Sequence, residues 1–251
     1  MKKALILYWH GLGDVIILTP VLRTLYIKGY SIDLMCRQAV QSSHLLDECP
    51  YINKQIIVEN PWRSSLGFVK QSAINIALFD SLKNGYDWSG KCIHKKNTHT
   101  DCKIEMNFLE CNLPVSDKKL EIFIAKLAKE QALTYIQQHY PKGYIFRHTD
   151  IEFHTKHNWN CVEWVRRNLP DLPIVNTGQY GNHFRIHDDI NFTFVLAREA
   201  TYRVLSSSVI VHACDAMNVM IDVINYGTPD RKVWIRNGRK VKRIREAGKW
   251  I

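Results

Sequence analysis

The chain has 251 residues and a mass of 29.3 kDa, with 46% hydrophobic and 23% charged residues and a formal net charge of +10. That length admits one large α/β domain or two small ones, and the composition excludes collagen-like, disordered and coiled-coil chains. No apolar run approaches the ~18 residues of a membrane-spanning helix, so none is expected.

Residues 4–8 form a continuous apolar run, the pattern of a buried parallel strand. The preceding lysines and the short run are read as a first strand and not as a secretion signal. His10-Gly11-Leu12-Gly13-Asp14 reads as a turn, residues 15–28 as an apolar helix ended by Gly29, and residues 31–36 as a second strand. A right-handed βαβ crossover puts the Gly11 to Asp14 loop at the carboxyl edge of the sheet, where ligands bind in such folds. Further helices are expected at 41–48 and 67–83 and within 118–138, and a strand at 54–58. After Tyr140-Pro141-Lys142-Gly143 the alternation restarts. Strands are expected at 144–148, 173–176, 208–212 and 232–235, and helices at 161–168, 194–206 and 218–225. The expected architecture is two α/β halves, 1–140 and 141–251, facing each other across a cleft.

The charge is unevenly placed. Residues 231–251 hold nine basic residues against one acid, Glu246, so the tail carries +8 and the remainder only +2. Arg239, Lys240, Lys242 and Arg243 are its centre, read either as a polyanion-binding segment or as a solvated face. Seven scattered cysteines without a Cys-x-x-Cys pair suit reduced thiols in a cytoplasmic protein. Cys92, His94, His99 and Cys102 lie close in sequence, but their spacing matches no common zinc module. No metal site is expected.

Gly11-x-Gly13 lacks the third glycine of a dinucleotide fingerprint, since Ile16 holds that place, and no Gly-Lys-Ser/Thr follows to make a phosphate loop of the Walker type. What marks the turn is Asp14. A carboxylate in the first turn of a helix is held by the helix dipole and amide donors, and at the mouth of a cleft it suits a general base. Its plainer alternative is a helix cap.

Gly11-Leu12-Gly13-Asp14-Val15-Ile16, with Thr19-Pro20-Val21-Leu22-Arg23-Thr24-Leu25 and Ile32-Asp33-Leu34, resembles the opening of the ADP-heptose:lipopolysaccharide heptosyltransferases, GT-B glycosyltransferases of family 9. Cys49-Pro50-Tyr51-Ile52, Tyr86-Asp87, the stretch from His99 to Pro114, and His148 with Lys156-x-x-Trp159 extend the likeness. The family's second half carries an Asp-Thr/Ser-Gly-x-x-His stretch that holds the donor diphosphate. Around His212-Ala213-Cys214-Asp215-Ala216-Met217-Asn218 this chain lacks the glycine and the final histidine.

The resemblance implies a GT-B fold and inverting sugar transfer from a nucleotide-diphosphate sugar to a hydroxyl, without a metal or other cofactor. Asp14 is then the base, with Gly11 and Gly13 letting the acceptor approach. Lys156 and Arg147 would meet the leaving diphosphate. Thr177, Gly178, His212, Asp215 and Asn218 would line the nucleotide, with a helix N-terminus expected near 215–218. The expected acceptor is a phosphorylated glycan or glycolipid, with the protein cytoplasmic and at most peripheral at the membrane. Two alternatives follow the tail charge and the altered motif. One is transfer to a hydroxymethylated base of DNA; the other is a non-catalytic nucleotide- or nucleic-acid-binding protein on the same scaffold.

Overall fold

The computed structural model describes residues 2–93, 102–148, 161–177, 189–206, 208–225, 242–245 and 249–250. The chain separates into two compact units, Met1–Phe123 and Ile124–Ile251.

In the first unit β1 (Lys2–Leu7) lies between β2 (Tyr30–Arg37) and β4 (Trp88–Lys91), and β3 (Ile52–Val58) pairs with β2, giving the order β3-β2-β1-β4 with every pairing parallel. The expected strands are present and slightly longer than their apolar runs. Helix α1 (Leu12–Ile27) starts three residues earlier than expected, so Gly13 and Asp14 sit in its first turn and Gly11 is its N-cap. Residues 15–22 of α1 are all buried. Pro20 removes one helical donor, and the Thr19 hydroxyl donates to the stranded Ile16 carbonyl at 2.7 Å.

Helix α2 (Gln38–Ser42) is a short turn where a helix over 41–48 was expected, and α3 (Phe68–Leu82) matches its expectation. Leu5 and Leu7 pack with Trp9, Met35, Val58 and Phe79 on the α3 side of the sheet. Helix α4 (Lys103–Glu110) packs on α1.

The helix expected within 118–138 begins at Lys126. Residues ahead of it are tied to α1: Arg23 donates to the Asp117 and Lys119 carbonyls and pairs with the Glu121 carboxylate at 2.7 Å, and the Glu121 amide donates to Thr19. These bonds hold that chain extended, so its helix-forming residues do not form a helix. Helix α5 (Lys126–His139) packs on α7 (Ile190–Glu199), which moves the boundary from the expected 138–143 to the chain ahead of α5.

The second unit holds β5 (Ile145–His148), α6 (Cys161–Asn168), β6 (Ile174–Asn176), β7 (Tyr202–Ser206), α8 (Val209–Ala216), β8 (Val223–Asn225), β9 (Lys242–Arg245) and β10 (Lys249–Trp250). The sheet order is β10-β9-β8-β7-β5-β6, parallel except for the edge pair β9–β10. Ile145, Val165 and Val204 form its core, joined by Leu169, Leu172, Ile174 and Tyr202.

Between 194 and 225 the expected elements are out of frame. The helix ends at Glu199, residues expected to close it form β7, the expected strand 208–212 is α8, and the expected helix 218–225 contains β8. Val209, Ile210 and Val211 favour strands, but Ser208 caps a helix by accepting the Ile210 amide at 3.3 Å, and Arg203 secures the frame by capping α7 through the Ala197, Arg198 and Ala200 carbonyls. The expected strand 232–235 lies outside the described residues. Part of the basic tail is sheet: Lys242 pairs with Val223 and Arg243 with Ile224 on β9. Arg239 and Lys240 lie outside the described residues.

Among the described cysteines Cys36, Cys49, Cys92, Cys111 and Cys214 are buried and Cys102 is half-buried, none in a disulfide. Cys92 Sγ lies 2.9 Å from Cys111 Sγ and donates to the Asn107 carbonyl; His94 and His99 lie outside the described residues.

Gly143 has φ of +93°, and a Cβ there would stand 2.3 Å from Thr201 Oγ1. Gly143→Ala is expected to lower stability by about 1–3 kcal/mol, read as a drop in urea midpoint at unchanged slope.

Candidate functional site

In a parallel sheet ligands gather at the carboxyl ends of neighbouring strands where the strand order reverses. In the first unit that point lies between β1 and β4, and both following loops end in helices carrying charge, Asp14 on α1 and Lys103 on α4. Asp14 Oδ2 accepts the Gly11 amide at 3.2 Å, and Oδ1 accepts from Lys103 Nζ at 2.6 Å. The Asp14 side chain keeps about a fifth of its surface in solvent (22%), so the carboxylate is gripped yet reachable. Asp14 thus accepts the N-terminal amide of Gly11, as the capping alternative expects, and stands beside the switch point.

Tyr8 supports it from below. Its hydroxyl donates to the Asp14 carbonyl at 2.8 Å, and burial, with the negative charge of Asp14, pushes the phenol well above its ordinary pKa. Tyr8 therefore stays a donor. Arg37, at the carboxyl end of β2, brings a guanidinium nitrogen to 3.7 Å from where a Gly11 Cβ would stand. Burial pulls the Arg37 pKa down, Asp14 opposes this, and Arg63 adds to it. Gly11 has ordinary extended backbone (φ −71°), so its conformation does not demand glycine; the missing side chain leaves space beside Asp14 Oδ2, 3.5 Å away.

Lys103, Arg37 and Tyr8 were not legible as site residues. The one available signal was topological: Arg37 ends the second strand, and Lys103 opens the helix after the strand beside β1.

In the second unit the strand order reverses between β5 and β7. Arg147 is half-buried on β5, and its carbonyl accepts the Thr177 amide at 3.1 Å. Thr177 is fully buried, its hydroxyl 3.2 Å from His148 Nδ1. The two expected residues therefore meet at the sheet edge, with His148 as a third member. Lys156 and Gly178 lie outside the described residues.

The helix N-terminus expected near 215–218 is instead the carboxyl end of α8. The Met217, Asn218 and Val219 amides are bonded to Ala213, Asp215 and Cys214 carbonyls, and Asn218 takes φ of +59°. That end of a helix repels phosphate. Asp215 and Asn218 are thus misplaced for amide-based diphosphate binding, because the α8 frame starts at Ser208. His212 lies midway along α8, and the α8 amides open toward Ser208, beside the end of β7.

The Asp14–Lys103 pair is partly exposed, which limits its contribution to folding. Lys103→Met is expected to cost no more than about 1 kcal/mol in chemical denaturation. A loss of several times that size would make the pair a structural strut.

No protein-family model matches the chain, and no curated protein matches its sequence. Solved structures do. A glycosyl transferase family 9 structure from Veillonella parvula shares 14% identity with a TM-score of 0.63, covering 97% of this chain and 86% of that one. The E. coli ADP-heptose LPS heptosyltransferase II shares 14% with a TM-score of 0.61, covering 97% and 90%. E. coli heptosyltransferase WaaC with ADP-2-deoxy-2-fluoro heptose shares 14% with a TM-score of 0.57, covering 93% and 91%. The chain has the α/β fold with parallel sheets of the GT-B family 9 glycosyltransferases and ADP-heptose heptosyltransferases, the fold that its opening motif implies.

Proposed function

We propose that this chain is an inverting glycosyltransferase that moves a sugar from a nucleotide-diphosphate sugar to a hydroxyl of an anionic glycan or glycolipid. The observation that carries this reading is Asp14, anchored through Gly11 and Lys103 at the switch point of the first sheet and still open to solvent. The acceptor hydroxyl loses its proton to the Asp14 carboxylate as its oxygen bonds to the anomeric carbon. The bond from that carbon to the diphosphate breaks, and the diphosphate leaves with the electron pair. The base must be fixed before the acceptor arrives, because proton transfer requires heavy atoms within about 3 Å. The Gly11 amide and Lys103 ammonium fix it. The scheme calls for no metal ion.

For the leaving group, the frame of α8 changes how the altered motif is read. Counting from the end of β7, the family's Asp-Thr/Ser-Gly-x-x-His stretch falls on Ser207-Ser208-Val209-Ile210-Val211-His212. The histidine that seemed missing is then His212, Ser208 takes the hydroxyl position, and the acid and glycine are Ser207 and Val209. The amide end of α8 is the proposed seat of the diphosphate, with Lys156 and Arg147 as its proposed cations.

A panel of nucleotide sugars, assayed for nucleotide diphosphate release with phosphorylated glycan acceptors, tests the reading; no release from any donor would make the chain a binding protein. Asp14→Asn should lower kcat by about 10²–10⁴ with donor affinity retained, measured by calorimetry. Unchanged turnover would remove Asp14 from the base role. His212→Ala should raise the donor KM by about 10- to 100-fold, the worth of one hydrogen bond to a charged group. The same change in Asp215 should leave it near wild type.

A further inference from the structure

Helix α3 turns two amides inward and leaves apolar side chains outward. Its buried residues are Gln71, Asn75 and Phe79, with Ile76 and Leu82 packed on the same core as Phe79, and the two amides are spent on local bonds. Gln71 Nε2 donates to Asn75 Oδ1, Asn75 Nδ2 to the Glu59 carbonyl, and Ser64 Oγ to Gln71 Oε1, which fastens the loop before the helix onto it. Its outward positions are Val69, Lys70, Ala73, Ile74, Ala77, Leu78 and Ser81, with one charge among them. Val69 is 78% exposed, Ile74 49% and Leu78 40%. The preceding loop continues this surface with Trp62, Leu66 and Phe68, exposed at 54%, 51% and 46%. Isolated exposed apolar residues need no explanation, but a contiguous patch of this kind marks an interaction surface.

We infer that the α3 face and the Trp62 to Phe68 loop seat the protein on an anionic lipid surface. Two observations favour lipid. The charges within and around the patch are Arg63, Lys70, Lys83 and Lys91 against Glu59 and Asp80, and Asp80 is held by Lys83 at 2.9 Å and Lys91 at 3.4 Å. A half-exposed tryptophan beside apolar side chains with a cationic fringe is the composition of an interfacial helix, its rings at headgroup depth and its basic groups on lipid phosphate. The patch also reaches the candidate site. The Trp62 ring lies 5.5 Å from His10, and His10 lies 4.9 Å from Tyr8, which bonds Asp14. Docking through this face would bring the Gly11 to Asp14 loop close to the headgroup layer. That last step rests on the transferase reading and points to an acceptor held in a membrane; the docking itself does not depend on it. No described helix is long and apolar enough to cross a membrane, so the contact is with the surface.

The test is flotation with phosphatidylcholine vesicles, with and without phosphatidylglycerol, in the absence of donor and acceptor. The full chain is expected to float with the phosphatidylglycerol vesicles and to be released as salt rises. The variant carrying Val69→Glu, Ile74→Glu and Leu78→Glu should lose vesicle partitioning by about tenfold or more at unchanged thermal midpoint. Val69→Glu alone, at the most exposed position, serves if the triple variant fails to fold. Failure of the wild type to float, or undiminished flotation of the variants, overturns the proposal. So does a wild type that sediments as a dimer which Val69→Glu dissociates without altering flotation, since the face would then seat a second copy. Because no sugar is present, a negative result leaves the transferase reading standing, and nucleotide release in solution tests that separately.

Discussion

Where the strand order of a parallel sheet reverses, the loops after the two neighbouring strands open onto one crevice at the carboxyl edge. In the first unit β1 and β4 are those neighbours. Every feature of the candidate base follows from it. The chain after β1 turns at Gly11 into α1, the chain after β4 arrives in α4, and residues 14 and 103, 89 positions apart, come to within one hydrogen bond. Both side chains keep part of their surface in water, so the pair matters for orientation more than for folding. Together they hold a carboxylate in a fixed orientation with part of its surface left open.

The second unit satisfies the same condition around β5 and β7 with different contents. At its edge the described groups are the buried His148 and Thr177, the half-buried Arg147, and the opening turn of α8. The two units thus present unlike chemistry on like frames: a gripped acid in the first, and amides with hydroxyl and imidazole groups in the second.

What the sequence revealed divides along the same lines. The apolar run of β1, the turn at Gly11 and the acid at position 14 are local, and local patterning was enough to find them. Lys103 was invisible because no strand was expected at 88–91, and Arg37 because the strand expected at 31–36 stops one residue short of it. The out-of-frame stretch from 194 to 225 failed for another reason. Val209, Ile210 and Val211 are strand-forming residues placed in a helix, and the deciding interactions are the Ser208 cap and the Arg203 clamp. That error carried the misplacement of Asp215 and Asn218 with it. Where within 118–138 the helix starts was not legible, because Arg23, about a hundred residues earlier, captures the Asp117 and Lys119 carbonyls. The basic tail was read for its charge, and two of its segments are strands that extend the second sheet.

The distribution of thiols has a practical corollary. Of the six cysteines whose burial is described five are buried, and the sixth, Cys102, is the residue immediately before Lys103. Burial slows alkylation, so a maleimide dye or nitroxide added to the native protein would favour Cys102 over those five. With Cys161 replaced by serine, the natural sequence thereby supplies a nearly site-selective reporter one residue from the cation that grips Asp14. Its emission or line shape would register disturbance of that grip in real time.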